Sequence, residues 1–331
     1  MSNYLITGSA GFIASRICDL LLQAGHTVLG IDNLNPAYDA RMKQYRLDRL
    51  LSLPGFTFMN LDIADPQAIP TLKELLPTPP VAVINLAAAA GVRNSVLNPW
   101  LYLNTNTTGT LNLLEYCRQT GVPKFILAST SSLYGDHGSQ PHSEDDDTAH
   151  PLQPYAASKK GAEVMAHAYH HLYNLDVTIF RYFTVYGPAG RPDMSVFRFC
   201  QWIAEGREVL VTGDGEQSRG FTYVDDIARG TILGLQPLGY EVFNLGGHEV
   251  FRMNQLIHML EERLGKKAHI RYIPSNPADV LTNVADVTKA RQRLAWQLQV
   301  SFAQGIENTV SWYLRERAWA KDIITDTLTA T

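Results

Sequence analysis

Tyr155 and Lys159 stand four apart in the stretch Pro154-Tyr155-Ala156-Ala157-Ser158-Lys159, and the apolar spacing from there predicts a helix over 155–173. Residues four apart on a helix share a face, so the phenol and the ammonium point into one cleft. A free phenol ionises near pH 10 and is a poor base at neutrality. A neighbouring cation favours the phenolate, and the pair becomes a general base suited to a hydroxyl proton. By itself a Y-x-x-x-K is an ordinary helical surface pair; its weight here comes from the segments around it.

Those segments start at residue 3. An apolar run, Asn3–Thr7, is followed by Gly8-Ser9-Ala10-Gly11-Phe12-Ile13-Ala14 and an amphipathic helix to about residue 24. Strand, glycine turn and helix form the setting of a dinucleotide-binding turn. Gly8 allows the tight turn, and Gly11 lets backbone approach a pyrophosphate seated on the helix N-terminus. Ala14 takes the place of a third glycine. A second strand over 27–31 ends in Asp32, whose carboxylate suits the adenosine ribose hydroxyls and repels a 2′-phosphate. NAD is therefore expected rather than NADP.

The elements that carry these groups alternate. A helix is expected at 41–51, a strand at 56–60 running into Leu61-Asp62-Ile63, and a strand at 81–86 running into the alanines 87–90. A long helix at 103–119 precedes a strand at 124–128, which ends in Ser129-Thr130-Ser131-Ser132, and a sixth strand covers 177–181. This alternation gives an α/β fold, a doubly wound parallel sheet with its site at the strand C-termini. Between the last two strands, the acidic run 144–147 reads as a solvated loop. His137, His142 and His150 lack metal-ligand spacing and read as surface residues, and no metal is expected.

Beyond Tyr182 the alternation loosens, with helices expected at 195–204, 224–235, 253–264 and 302–317 and a strand at 242–245. We expect a dinucleotide domain over 1–181, to which 221–250 returns, a smaller second domain over 182–317, and a tail over 318–331. The net charge of -4 over 331 residues leaves no basic footprint for nucleic acid. No run approaches the roughly 18 apolar residues of a membrane span, and the chain enters its first strand without a charged leader. Cys18, Cys117 and Cys200 are odd in number and far apart, as buried free thiols rather than a disulfide or zinc frame. A cytoplasmic protein is expected.

Taken in order, T-G-x-x-G-F-I at 7–13, Asp62-Ile63, L-A-A at 86–88, S-T-S-S-L-Y-G at 129–135, Y-x-x-x-K and R-Y-F-T-V-Y-G-P at 181–188 resemble the extended short-chain dehydrogenase/reductase family. Within it they resemble the nucleotide-sugar epimerases and dehydratases, over residues 3 to about 315. The resemblance implies a Rossmann-type domain, a smaller C-terminal α/β substrate domain, and a homodimer packed through helices 103–119 and 155–173. It implies catalytic roles for Thr130, Tyr155 and Lys159, with Thr130 orienting the reacting sugar hydroxyl. The NAD contacts it implies are Gly8, Gly11, Phe12, Ile13, Asp32, Asn33, Asp62, Ile63, Leu86, Ala87, Ala88, Tyr155, Lys159 and Tyr182.

The branch is read from what stands beside the triad. Dehydratases that look like this carry an Asp-Glu pair after the threonine, and decarboxylases a Glu, where this chain has Ser131 and Ser132. A hydroxyl cannot replace a carboxylate as acid and base, so the pattern fits a 4-epimerase. Gly91-Val92-Arg93 with T-V-Y-G-P-x-x-R-P-D-M at 184–194 resembles the UDP-glucuronate 4-epimerases. Thr184, Ser131 and Ser132 would then hold the hexuronate carboxylate, and Arg93 and Arg191 would meet either the carboxylate or the diphosphate. Arg219 resembles the diphosphate clamp of an R-D-[FY]-x-x-V-x-D element, in which Gly220 departs from the usual Asp. Asp279, in Pro277-Ala278-Asp279-Val280, resembles a further nucleotide contact, where Asn276 departs from an arginine. The competing expectations are a UDP-glucose or UDP-N-acetylhexosamine 4-epimerase, a decarboxylase, and a non-catalytic NAD-sensing protein.

Overall fold

A computed structural model describes residues 1–136, 141–247, 249–274 and 282–325. Among the described residues thirteen strands are formed: β1 (Asn3–Thr7), β2 (Thr27–Asp32), β3 (Phe56–Asn60), β4 (Ala82–Asn85), β5 (Lys124–Thr130), β6 (Asp176–Tyr182), β7 (Thr184–Tyr186), β8 (Glu208–Thr212), β9 (Ser218–Tyr223), β10 (Tyr240–Leu245), β11 (Val250–Arg252), β12 (His269–Ile273) and β13 (Thr282–Asn283). Seven of them make one parallel sheet in the order β10-β6-β5-β4-β1-β2-β3. Strand order reverses between β1 and β4, which opens a crevice at their C-terminal ends.

Both faces of this sheet are covered, so its strands are apolar at consecutive positions rather than alternate ones. Leu5, Val83, Phe125 and Ile179 face one core, with Leu113, Leu114 and Ala162 from the helices on that side. Their neighbours Ile6, Ala82, Ile126 and Phe180 face the other, with Ile17, Leu21 and Ile227. Phe125 is fully buried, worth about 2–3 kcal/mol of transfer free energy. The helix Pro154–Tyr173 starts with proline in its first turn and ends at Asn174, in the left-handed region at φ 54°. Its buried residues Ala156, Lys159, Ala162, Glu163, Ala166 and Tyr169 recur at three- and four-residue steps. That spacing lays Lys159 along the sheet.

The later strands form two small sheets, β11-β9-β13 with β7 on β9, and β12-β8. They pack with the helices Ser195–Ala204, Met253–Leu264 and Phe302–Ala320 around a core containing Trp202, Leu256, Phe302 and Tyr313. β10 returns to the large sheet beside β6.

Several sequence expectations are corrected. The helix expected at 103–119 is two pieces, a π-helical turn Leu103–Thr108 and an α-helix Gly109–Thr120, with a short helix Pro99–Tyr102 just before them. The π turn puts Asn106 inside, where it bonds both backbone groups of Ala89 and the Ser158 hydroxyl. His142 is not a surface residue: it is buried and stacks on Tyr134 at 4.8 Å. His150 is exposed, and His137 lies outside the described residues. Glu144 does not behave as part of a solvated run, since its Oε1 accepts from Asn244 N at 2.7 Å and burial holds its pKa above the usual value. The expected tail is docked as far as Thr325: the last helix runs to Ala320, and Gln201 donates to the Ala320 and Ile323 carbonyls. Residues 326–331 lie outside the described residues.

Cys18, Cys117 and Cys200 are buried and free, and burial raises all three thiols. No described helix is long and apolar enough to cross a membrane, and no described group of side chains could hold a metal.

Candidate active site

The strand ends converge on one cleft of roughly 590 Å³. Gly8 follows β1, Asp32 ends β2, Asp62 follows β3, Leu86 follows β4, Thr130 ends β5 and Tyr182 ends β6. All six line the cleft, because parallel strands in register bring their C-terminal ends to one edge. Thr7 ties the first of these ends together: its hydroxyl donates to Asn85 Oδ1 (2.6 Å) and accepts from Ala87 N (3.0 Å).

The glycine turn has no room for side chains. Gly8 has φ +69°, and a Cβ there would lie 2.8 Å from Ala87 N; one at Gly11 would lie 2.7 Å from Gly8 O. The helix Phe12–Gln23 begins directly after it, and its first amides have no intrahelical acceptor. That is a cradle for a diphosphate. Asp32 Oδ2 accepts from Ala10 N (3.2 Å), and Oδ1 from Leu34 N (2.8 Å) and Lys43 Nζ (3.1 Å). Asp62 accepts from Ala64 N (2.8 Å) and Asn33 Nδ2 (3.0 Å), joining the two loops that flank the adenosine end. With Phe12, Ile13, Ile63, Ala87 and Ala88 also in the wall, the residues present fit a dinucleotide. Tyr182 lines the cleft too, although its hydroxyl is taken by Thr231 at 2.7 Å.

The helix Pro154–Tyr173 brings Tyr155 and Lys159 to the same cleft, opposite Thr130. Thr130 caps the short turn Ser131–Tyr134: its Oγ1 accepts from Ser132 N at 3.1 Å and lies 3.1 Å from Ser132 Oγ. The Tyr155 ring meets Tyr102 edge-on at 6.1 Å. The electrostatics differ from the expectation that Lys159 depresses the phenol. Burial pushes the Tyr155 pKa up, and this outweighs the lowering by a hydrogen bond with Thr130 and by the Arg191 cation. Burial also lowers Lys159 to about 8, against the pull of Glu163. Lys159 Nζ donates to Ala128 O at 2.9 Å, so backbone fixes its position. Behind it Glu163 is buried, accepting from Ser129 Oγ (2.6 Å) and from Arg181 Nε and Nη2 (3.1 and 2.9 Å).

The residues expected to meet the substrate share this cleft. Thr130 pairs with Tyr182 in the sheet, so Ser131 and Ser132 leave β5 beside the chain that continues to Thr184. Ser131, Ser132, Thr184, Arg93, Arg191 and Arg219 all line the cleft. Arg191 is paired with Asp193, which raises its pKa despite the counteracting effect of burial. It lines the cleft together with Tyr155, and its cation counteracts the upward push of burial on that phenol. Gly220 is explained by space, since a Cβ there would come within 2.4 Å of Gly247 O. Asp279 and Asn276 fall in 275–281, outside the described residues.

Sequence reasoning missed Lys43, Asn106, Asn283 and Arg46. The first and third line the cleft. Arg46 is buried and donates to Ala10 O (3.2 Å), Ala189 O (2.7 Å) and Gly190 O (3.1 Å), tying the glycine turn to the loop that carries Arg191. None of the four belongs to a local pattern. Only Lys43 carried a signal, as a cation one turn into the helix after Asp32.

Residues 4–246 match the NAD dependent epimerase/dehydratase family. The chain is 52% identical over 313 residues to a UDP-glucuronate 4-epimerase of Thermodesulfobacterium geofontis, covering 94% of this chain and 96% of that one. Among solved structures, UDP-glucuronic acid 4-epimerase from Bacillus cereus in complex with UDP-glucuronic acid and NAD superposes with TM-score 0.88 at 36% identity, over 95% of this chain and 99% of that one. UDP-glucose 4-epimerase from Thermotoga maritima with UDP-glucose gives TM-score 0.87 at 33% identity, over the same shares. A glycine turn shaped for a dinucleotide, a Thr-Tyr-Lys cleft beside it and these likenesses agree: the chain belongs to the NAD-dependent epimerase/dehydratase family.

Proposed function

We propose that this protein is a 4-epimerase interconverting UDP-glucuronate and UDP-galacturonate. The observation that carries the reading is the pair Ser131-Ser132 beside Thr130, Tyr155 and Lys159 in one cleft. The cleft has hydroxyls where elimination of water would need carboxylic acids.

NAD, when bound, supplies reversible hydride transfer at C4 of the sugar. Tyr155 takes the C4 hydroxyl proton in its phenolate form, which the Thr130 hydrogen bond and the Arg191 cation favour against burial, and later returns it, while Thr130 orients that hydroxyl. Lys159, anchored on Ala128 O, presents its ammonium to the phenolate and the nicotinamide ribose. Gly8, Gly11 and the head of the following helix seat the dinucleotide diphosphate, and Asp32 with Lys43 meets the adenosine ribose. Arg219, in the cleft wall, clamps the sugar-nucleotide diphosphate. The 4-ketone turns over between the two transfers, so no second substrate is consumed.

A 4-keto-hexuronate is a β-keto acid that loses CO2 when its C5–C6 bond aligns with the carbonyl π system. Thr184, Ser131 and Ser132, with Arg191 near Tyr155, hold the carboxylate so that this bond stays off alignment. Residues 1–181 with 221–250 serve the cofactor and 182–317 the sugar nucleotide. Exposed Leu103, Val164 and Leu172 lie on the segments 103–119 and 155–173 expected to pair in a homodimer. Three free, buried thiols suit a reducing compartment, the cytoplasm.

The test is NMR of UDP-glucuronate incubated with the purified protein. Galacturonate signals reaching equilibrium without pentose or CO2 are expected. A pentose product would make it a decarboxylase, and turnover of UDP-glucose alone would move it to the galactose branch.

A further inference from the structure

We infer that Asn283 is a positioning residue that turns the Ser131 hydroxyl proton into the cleft and thereby sets the preference for a sugar bearing a carboxylate. The inference rests on the reading of Ser131 as a carboxylate ligand. Asn283 ends β13, which runs parallel to β9 with Asn283 opposite Arg219 and Thr282 opposite Ser218. Its Nδ2 donates to Ser131 Oγ at 2.8 Å, across 152 residues of chain. A serine hydroxyl has one proton and two acceptor lone pairs. The amide occupies a lone pair, and among the described residues nothing takes the proton. It is left for a ligand, and an ionised carboxylate, which only accepts, is the group it suits.

At the other end of the amide, Asn283 Oδ1 is buried with no hydrogen-bond partner. That unpaired acceptor is the cost of aiming Nδ2 at Ser131. The reverse arrangement would draw the serine proton toward the amide and away from the cleft. β9 holds Asn283 in place and carries Arg219, so the strand that meets the diphosphate also sets the donor facing the far end of the sugar. Both residues line the cleft.

The test uses the full chain with NAD bound, in a Tyr155→Phe background so that bound sugars do not react. Calorimetry gives Kd for UDP-glucuronate, UDP-glucose and UDP with Ser131→Ala, Asn283→Ala, Asn283→Asp and the Ser131→Ala/Asn283→Ala pair. Asn283→Asp keeps the shape but replaces the donor with an acceptor. It is expected to weaken UDP-glucuronate by roughly tenfold or more, and UDP-glucose by less than about twofold. Asn283→Ala should be intermediate and should add nothing to Ser131→Ala, since both remove one interaction. UDP binding at the starting affinity shows that each variant is folded. If Ser131→Ala leaves the ratio of the two sugars unchanged, the carboxylate reading of Ser131 fails and the inference with it. If Ser131→Ala is selective but the Asn283 variants weaken both sugars alike, or add to Ser131→Ala, only the inference is overturned.

Discussion

The seven-stranded sheet and the two small sheets build their shares of the cleft in different ways. In the large sheet, Gly8, Asp32, Asp62, Leu86 and Thr130 each sit at or just past the end of a parallel strand. Backbone register brings them to one edge, and short side-chain ties such as Thr7 to Asn85 and Asn33 to Asp62 trim the ends. Beyond the sheet, side chains come into place through hydrogen bonds between distant segments, as Asn283 of β13 reaches Ser131 and Arg46, in the helix after β2, reaches Ala189 in the loop after β7. Cofactor geometry thus follows mainly from strand register, whereas substrate geometry depends on particular side-chain pairs.

The widest test of that contrast is Tyr155→Phe. It leaves the sheet intact and should lower the epimerisation rate by roughly 10²–10⁴-fold with NAD content unchanged. A loss below tenfold would remove Tyr155 from its role. Arg46→Leu tests the tie between the two regions. It strips donors from the Ala10, Ala189 and Gly190 carbonyls and should cost about 2–4 kcal/mol in urea unfolding. Unchanged stability would mean that the regions do not depend on one another there. Thr184→Ala should reduce kcat/KM for UDP-glucuronate roughly tenfold and raise CO2 release, with UDP-glucose binding unaltered. Unchanged values would dissolve the proposed clamp.

The smallest expected effect is on pH. Lys159 loses its proton near 8 in the folded protein, against an ordinary value of 10.5. Burial pushes the Tyr155 phenol up, so the rate should rise with pH as phenolate forms and level off above about pH 8, where each further gain in phenolate is offset by loss of the ammonium. Stability responds separately. Between about 8 and 10.5 the unfolded chain binds more protons at this site, so Lys159 contributes a gain in stability with rising pH. A rate that keeps climbing by about tenfold per pH unit beyond 8 would show that the ammonium is not required.

What could be read without the structure follows the same division. The glycine turn, Asp32 and the Tyr155–Lys159 spacing are local patterns, and each appears in the cleft. The electrostatics at Tyr155 were not legible, because burial and Arg191, remote in sequence, act there rather than Lys159. His142 and Glu144 looked solvated because their neighbours are polar, yet Tyr134 and Asn244 bury them from elsewhere in the chain. The π turn at Leu103–Thr108 breaks a helical pattern that residue spacing alone leaves continuous. It turns Asn106 inward to Ala89, a contact between segments that spacing does not show.

The place of β10 has a consequence for how this chain is made. A nascent polypeptide that has emerged only as far as Tyr182 presents β6 as a bare edge, with Phe180 lacking the Phe243 ring that stacks on it at 6.0 Å. That edge is closed only when translation has passed Leu245, after β7, β8 and β9 have already been synthesised. The seven-stranded sheet therefore cannot be completed before the first three strands of the small sheets have been made, and it cannot be exchanged between relatives as a simple contiguous cassette.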